Sequence, residues 1–259
     1  MLLTAELEIK TDAPEPSPCV LMLHPQSGDA QSILKHDLTT SAPIIFHRYA
    51  DTFGNICLRT VIPSGPFQLQ SRIVATCADT IDVEPGAPFI PMDKLPDEVL
   101  TYTLPSRYCE SDLLDDKAME ITGTAAPGYP QVETIRRWIH DHFNYAYGTT
   151  NSSTSARDVI ATTTGVCRDY THAGIALCRS LNIPARMVVG YLYQLDPMDM
   201  HAWFEAFVGG RWYSFDATQS EPRGNRIVVA YGRDAADVAI ATHFTGIGSM
   251  QLQLTVQAG

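Results

Sequence analysis

The apolar positions of roughly the first 85 residues recur at every second place, in short runs. Leu3, Ala5, Leu7 and Ile9 alternate with polar neighbours, the period of a strand with one face buried. Cys19–Leu23, Ile44–Tyr49, Cys57–Ile62 and Phe67–Ala75 read as further strands, separated by Pro, Gly and Asn. Short strands punctuated by turn residues predict a β-sandwich. The prolines at 85, 88, 91, 96 and 105 then interrupt any regular element, because proline cannot donate to a ladder. A linker is expected at residues 85–95, dividing the chain into an N-terminal β-sandwich domain (1–90) and a second domain (91–259).

Beyond the prolines the period changes. Val132, Ile135, Ile139 and Phe143 recur at helical spacing behind Tyr129-Pro130, with proline where its missing N–H costs nothing. Ser155-Ala156-Arg157-Asp158 has the form of a capping box with Asp in place of Glu, opening a short helix through Ile160. A third helix starts at or just before Cys167. It buries Tyr170, Ala173, Gly174, Leu177, Cys178 and Leu181 and stops at Asn182-Ile183-Pro184. Apolar strands follow at Ala185–Leu192, His201–Val208 and Arg211–Asp216. Helices first and antiparallel strands afterwards make an α+β class.

Composition narrows the partners. An apolar share of 45% with 18% charged residues is that of a globular chain with a real core. The formal charge of −11, with no clustered Lys and Arg, excludes nucleic-acid binding by bulk electrostatics. The start of the chain has neither the basic end nor the apolar stretch of a secretory signal, and no run reaches the ~20 apolar residues of a membrane span. A cytoplasmic location is therefore expected. The six cysteines (19, 57, 77, 109, 167 and 178) contain no C-x-x-C pair and read as small packing side chains. Cys167, His172 and Cys178 lack zinc-ligand spacing, and no D-x-[DN]-x-[DN]-G loop is present, so neither metal nor cofactor is expected. His24, His36 and His47 read as surface or packing histidines.

The candidate chemistry sits in the second half. Cys167 follows a loop ending in Gly165 and opens a helix, where a thiolate meets the positive end of the dipole and unpaired backbone N–H groups. Those N–H groups can also receive an oxyanion forming on an attacked carbonyl. Gly209-Gly210 is a two-residue hairpin signal. It pairs Val208 with Arg211 and, counting back, Trp203 with Asp216. His201 then lies diagonal to Asp216 on one face, at about 7–8 Å or less between Cα atoms. A carboxylate there orients an imidazole and stabilises its protonated form. Taken singly, His201 is equally a hydrogen-bonded strand histidine, and Asp216 a turn residue in its Asp-Ala-Thr context. Gln194–Met200, directly before His201, is expected to overhang the cleft.

These segments resemble a known family. Gly165-Val166-Cys167-Arg168-Asp169-Tyr170, Ile183-Pro184-Ala185-Arg186 with Val189-Gly190-Tyr191, His201-Ala202-Trp203-Phe204-Glu205 and Gly210–Thr218 are similar to the transglutaminase-like superfamily. The tail Gly232-Arg233-Asp234-Ala235-Ala236-Asp237-Val238 is similar to the ending of its bacterial branch. The resemblance spans about residues 125–256. It implies a papain-like core of helices packed on an antiparallel sheet, with Cys167 as nucleophile, His201 as base and Asp216 as its orienter. It further implies acyl transfer through a thioester on a peptide or amide substrate. Hydrolysis by a peptidase or amidase is the favoured outcome. Transamidation or deamidation of glutamine, and an inactive binding module, stand as alternatives.

Overall fold

The computed structural model describes residues 1–259, and its two halves follow the two periods of the sequence. The first half contributes β1 (Leu2–Ala13), β2 (Ser17–His24), β3 (Gln31–Thr40), β4 (His47–Ala50), β5 (Ile56–Ile62) and β6 (Gly65–Cys77). Three short 3-10 turns lie between Met92 and Leu113. The second half then gives α1 (Asp115–Thr122), α2 (Tyr129–His142), β7 (Asn144–Tyr145), α3 (Ala156–Thr162), β8 (Thr164–Gly165) and α4 (Cys167–Ser180). Strands β9 (Ala185–Leu192), β10 (His201–Val208), β11 (Arg211–Phe215), β12 (Arg226–Gly232), β13 (Ala241–His243) and β14 (Gln251–Ala258) complete the chain. No helix is long and apolar enough to cross a membrane.

Two antiparallel sheets, ordered β14-β1-β6-β3 and β13-β2-β5-β4, close over a shared core. Leu3, Leu7, Leu21, Leu69 and Ile73 are buried there, the inward members of the alternation seen in the sequence. The outermost β14 and β13 come from the end of the chain. β14 pairs with β1 from Leu3↔Ala258 to Lys10↔Gln251, and β13 pairs with β2. The division expected near residue 90 grouped residues 241–258 with the second half, whereas their hydrogen bonds lie in the N-terminal sheets.

The second core lies between the helices and the antiparallel sheet β11-β10-β9-β12. Helix α4 packs on the face carrying Ala202, Phe204 and Ala206. Gly174 faces the Phe204 ring so closely that a Cβ there would lie 2.5 Å from Cε1. The hairpin has the expected register, Val208↔Arg211 through Phe204↔Phe215. Gly209 and Gly210 take φ of 60° and 89°, the left-handed values this tight turn requires.

The two halves are joined by side-chain amides standing in for a strand. The Gln31 amide exchanges hydrogen bonds with the N–H and C=O of Val228 at 2.7 and 2.9 Å. Asn55 does the same with Tyr231, at 2.8 and 2.7 Å. These contacts cover the edge of β12, which would otherwise leave ladder groups unpaired.

Candidate active site

Helix α4 sets the position of Cys167. Asp169, fully buried, turns back so that its Oδ2 accepts the Val166 N–H at 2.9 Å and the Thr150 hydroxyl at 2.7 Å. Only glycine fits at 165, because a Cβ there would lie 2.7 Å from that of Asp169. This capping leaves Cys167 as the first helical residue, where the early N–H groups have no helical partner. Its sulfur lies 3.9 Å from the Met200 carbonyl, immediately before His201. Cys167 is partly exposed, and the other five cysteines are buried.

The hairpin brings His201 and Asp216 together as its register requires. Their Nε2 and Oδ2 atoms are 2.8 Å apart, with the residues only 2% and 4% exposed. An ionised carboxylate can only accept, so Nε2 carries the proton it donates. Nδ1 is then left free of Asp216, and the Cys167 sulfur stands by the Met200 carbonyl at the start of the same strand. Burial opposes the imidazolium. The Asp216 charge and hydrogen bond, with the Cys167 thiol, more than offset this and lift His201 to about 9. For Asp216 burial favours the neutral acid, but His201, Arg226 and Thr218 hold it well below the usual carboxylate range.

Both plain readings of these residues also hold in the geometry. Asp216 Oδ1 accepts from the Thr218 N–H at 3.1 Å and the Thr218 hydroxyl at 2.7 Å, an Asx turn. That turn fixes the carboxylate that meets His201. The sequence reading did not single out two further neighbours. Tyr145 lines the same cleft as His201, and desolvation, then the charge of the Cys167 thiol, push its pKa well up. Arg226 donates from Nη2 to Asp216 Oδ2 at 3.2 Å. Tyr145 lies in a two-residue strand and Arg226 far along the chain, so no local pattern marked either.

A cleft of about 390 Å³ opens at this point. Phe143, Tyr145, Tyr147 and Tyr170 form one part of its wall, with His201, Thr218 and Gln219 beside them. Leu195, Asp196 and Pro197 also line it, so the segment before His201 does border the cleft as expected.

Comparison with known proteins shows the family. The model of the transglutaminase-like superfamily matches residues 115–217, a span that begins at α1 and ends just after Asp216. A structure of a proposed cysteine protease from Cytophaga hutchinsonii superposes with a TM-score of 0.91 at 33% identity, covering 100% of this chain and 91% of that one. The uncharacterised protein ML0607 of Mycobacterium leprae is 26% identical over 91% of this chain and 89% of its own length.

Proposed function

The chain belongs to the transglutaminase-like superfamily, and from that premise we propose that it hydrolyses amide bonds through a Cys167–His201–Asp216 triad. The observation that carries this reading is the buried 2.8 Å contact between His201 and Asp216, with Cys167 at a helix N-terminus and its sulfur 3.9 Å from the carbonyl of Met200, the residue before His201.

In this reading the Cys167 thiolate, paired with the His201 imidazolium, attacks the carbonyl carbon of the substrate amide. The carbonyl π pair moves to oxygen, and the oxyanion is received by the Cys167 N–H at the start of α4, with the Tyr145 hydroxyl of the cleft wall as second donor. Collapse expels the amine, which takes the proton from His201, and leaves a thioester on Cys167. Neutral His201 then takes a proton from water as it attacks the thioester. The second collapse releases the acid and regenerates the thiolate–imidazolium pair. Asp216 stays ionised throughout and holds the ring.

An attacking amine in place of water would give transamidation from the same thioester. Hydrolysis is favoured by the likeness, along the whole chain, to the proposed protease of Cytophaga hutchinsonii. The aromatic and apolar walls of the cleft suit a substrate that presents an apolar side chain beside the scissile bond. A peptide and amide library tested on wild type and Cys167→Ala reads the activity. Turnover confined to wild type supports the proposal. Incorporation of a labelled primary amine into a glutamine peptide, without hydrolysis, replaces it with transfer.

A further inference from the structure

We infer that Arg226 is a positioning residue for the Asp216–His201 pair, holding the carboxylate toward the imidazole and balancing its charge. The inference rests on the reading of His201 as the base.

Arg226 opens β12, and its side chain is only 5% exposed. One end of the guanidinium donates to Asp216 Oδ2 at 3.2 Å, the same oxygen that accepts from His201. With Thr218 on Oδ1, both carboxylate oxygens are fixed, so the carboxylate has no freedom to turn away from the ring. The rest of the guanidinium has no hydrogen-bond partner at Nε or Nη1. Instead its carbon stands 4.7 Å from the centroid of Trp203, a cation–π contact on a ring that is 1% exposed. The His201 ring centroid is 6.0 Å from that same indole. Trp203 is therefore flanked by the imidazole and the guanidinium.

A buried cation with two idle donors is costly if it serves packing alone. The charges around it explain its place. Thiolate, imidazolium and carboxylate sum to −1, and Arg226 brings the buried group to neutrality. Glu205 and Arg223 also face Arg226, the first supporting its charge and the second opposing it. His201 meets Asp216 and Cys167. Arg136 adds a more distant positive charge on Asp216. Removing the Arg226 cation leaves Asp216 unopposed, which favours the imidazolium. The His201 titration should then move upward from about 9, by on the order of one pH unit.

The test is an NMR titration of protein carrying ring-labelled histidine, with the His201 signal assigned by its loss in His201→Ala. Arg226→Gln removes the charge and keeps the size, whereas Arg226→Lys keeps the charge. The inference expects an upward shift in Arg226→Gln and a wild-type midpoint in Arg226→Lys. An unmoved midpoint in Arg226→Gln, or the same shift in both variants, overturns it. Failure of Arg226→Gln to fold, beside a folded Arg226→Lys, also overturns it by assigning the residue to the fold. The nucleophile reading is judged separately by alkylation of Cys167, so a silent Cys167 and an unmoved His201 are distinguishable failures.

Discussion

Replacing Asp216 by asparagine removes the charge around which the site is built. In the wild type, Oδ1 takes two hydrogen bonds from Thr218, and Oδ2 takes one each from His201 and Arg226. Asparagine keeps a single acceptor oxygen. If that oxygen stays with Thr218, its NH₂ meets two donors and the Arg226 charge is left buried without its carboxylate. Breaking a buried pair in this way costs about 3–5 kcal/mol. Part of that cost depends on pH. His201 has a folded pKa of about 9 against an ordinary 6.5, a raised value, so its contribution is full below pH 6.5 and is lost as pH rises through 9. The difference of 9 − 6.5, or 2.5 units, corresponds to about 3–4 kcal/mol at ~1.4 kcal/mol per unit. Asp216→Asn lacks the larger part of this contribution, which Asp216 supplies, at every pH. Its penalty should thus be largest at pH 6 and shrink by up to about 3 kcal/mol by pH 10. A total stability of about 5–15 kcal/mol leaves the variant folded but weakened. Urea unfolding of both proteins at pH 6, 8 and 10, followed by tryptophan fluorescence, measures the difference. An equal penalty at pH 6 and pH 10 would refute the reasoning.

Two further substitutions test the packing that holds the site. Gly174→Ala places a methyl 2.5 Å from the Phe204 ring, and overpacking of about 1–3 kcal/mol should outweigh the gain of about 1 kcal/mol in helix propensity. A melting temperature at or above wild type would contradict this. Asn55→Ala strands the N–H and C=O of Tyr231 at about 1–3 kcal/mol. Hydrogen exchange at the Tyr231 amide should accelerate while that of α4 stays unchanged, and uniform acceleration would contradict a local role.

The sequence made legible what is held by neighbours along the chain. The Gly209-Gly210 turn fixed the hairpin register, and helical spacing marked α2 and α4, because each signal lies within one element. Elements with little buried surface gave no such pattern. α1 buries only Ala118 and Thr122, and β3 carries charged and half-exposed residues through most of its length. Ile44–Phe46, expected to be strand, precede a β4 that starts at His47 and is wholly exposed. Pairings across the whole chain were out of reach for the same reason. β14 alternates Leu252, Leu254 and Val256 as a strand should, but nothing local shows that its partner is β1. Gln31 and Asn55 looked inert because their partners lie more than 170 residues away. Arg226 became visible only once β12 stood beside β9, bringing it to Asp216.

The central claim, that Cys167 is an activated nucleophile, is tested most directly by its reactivity among six cysteines. Burial pushes the thiols of Cys19 and Cys77 up to about 11 and raises those of Cys57, Cys109 and Cys178 as well. Brief iodoacetamide treatment of the folded protein at pH 6, read by peptide mass spectrometry, should label Cys167 ahead of the other five and much more slowly in His201→Ala. Labelling of Cys167 no faster than of buried Cys178 would contradict the account.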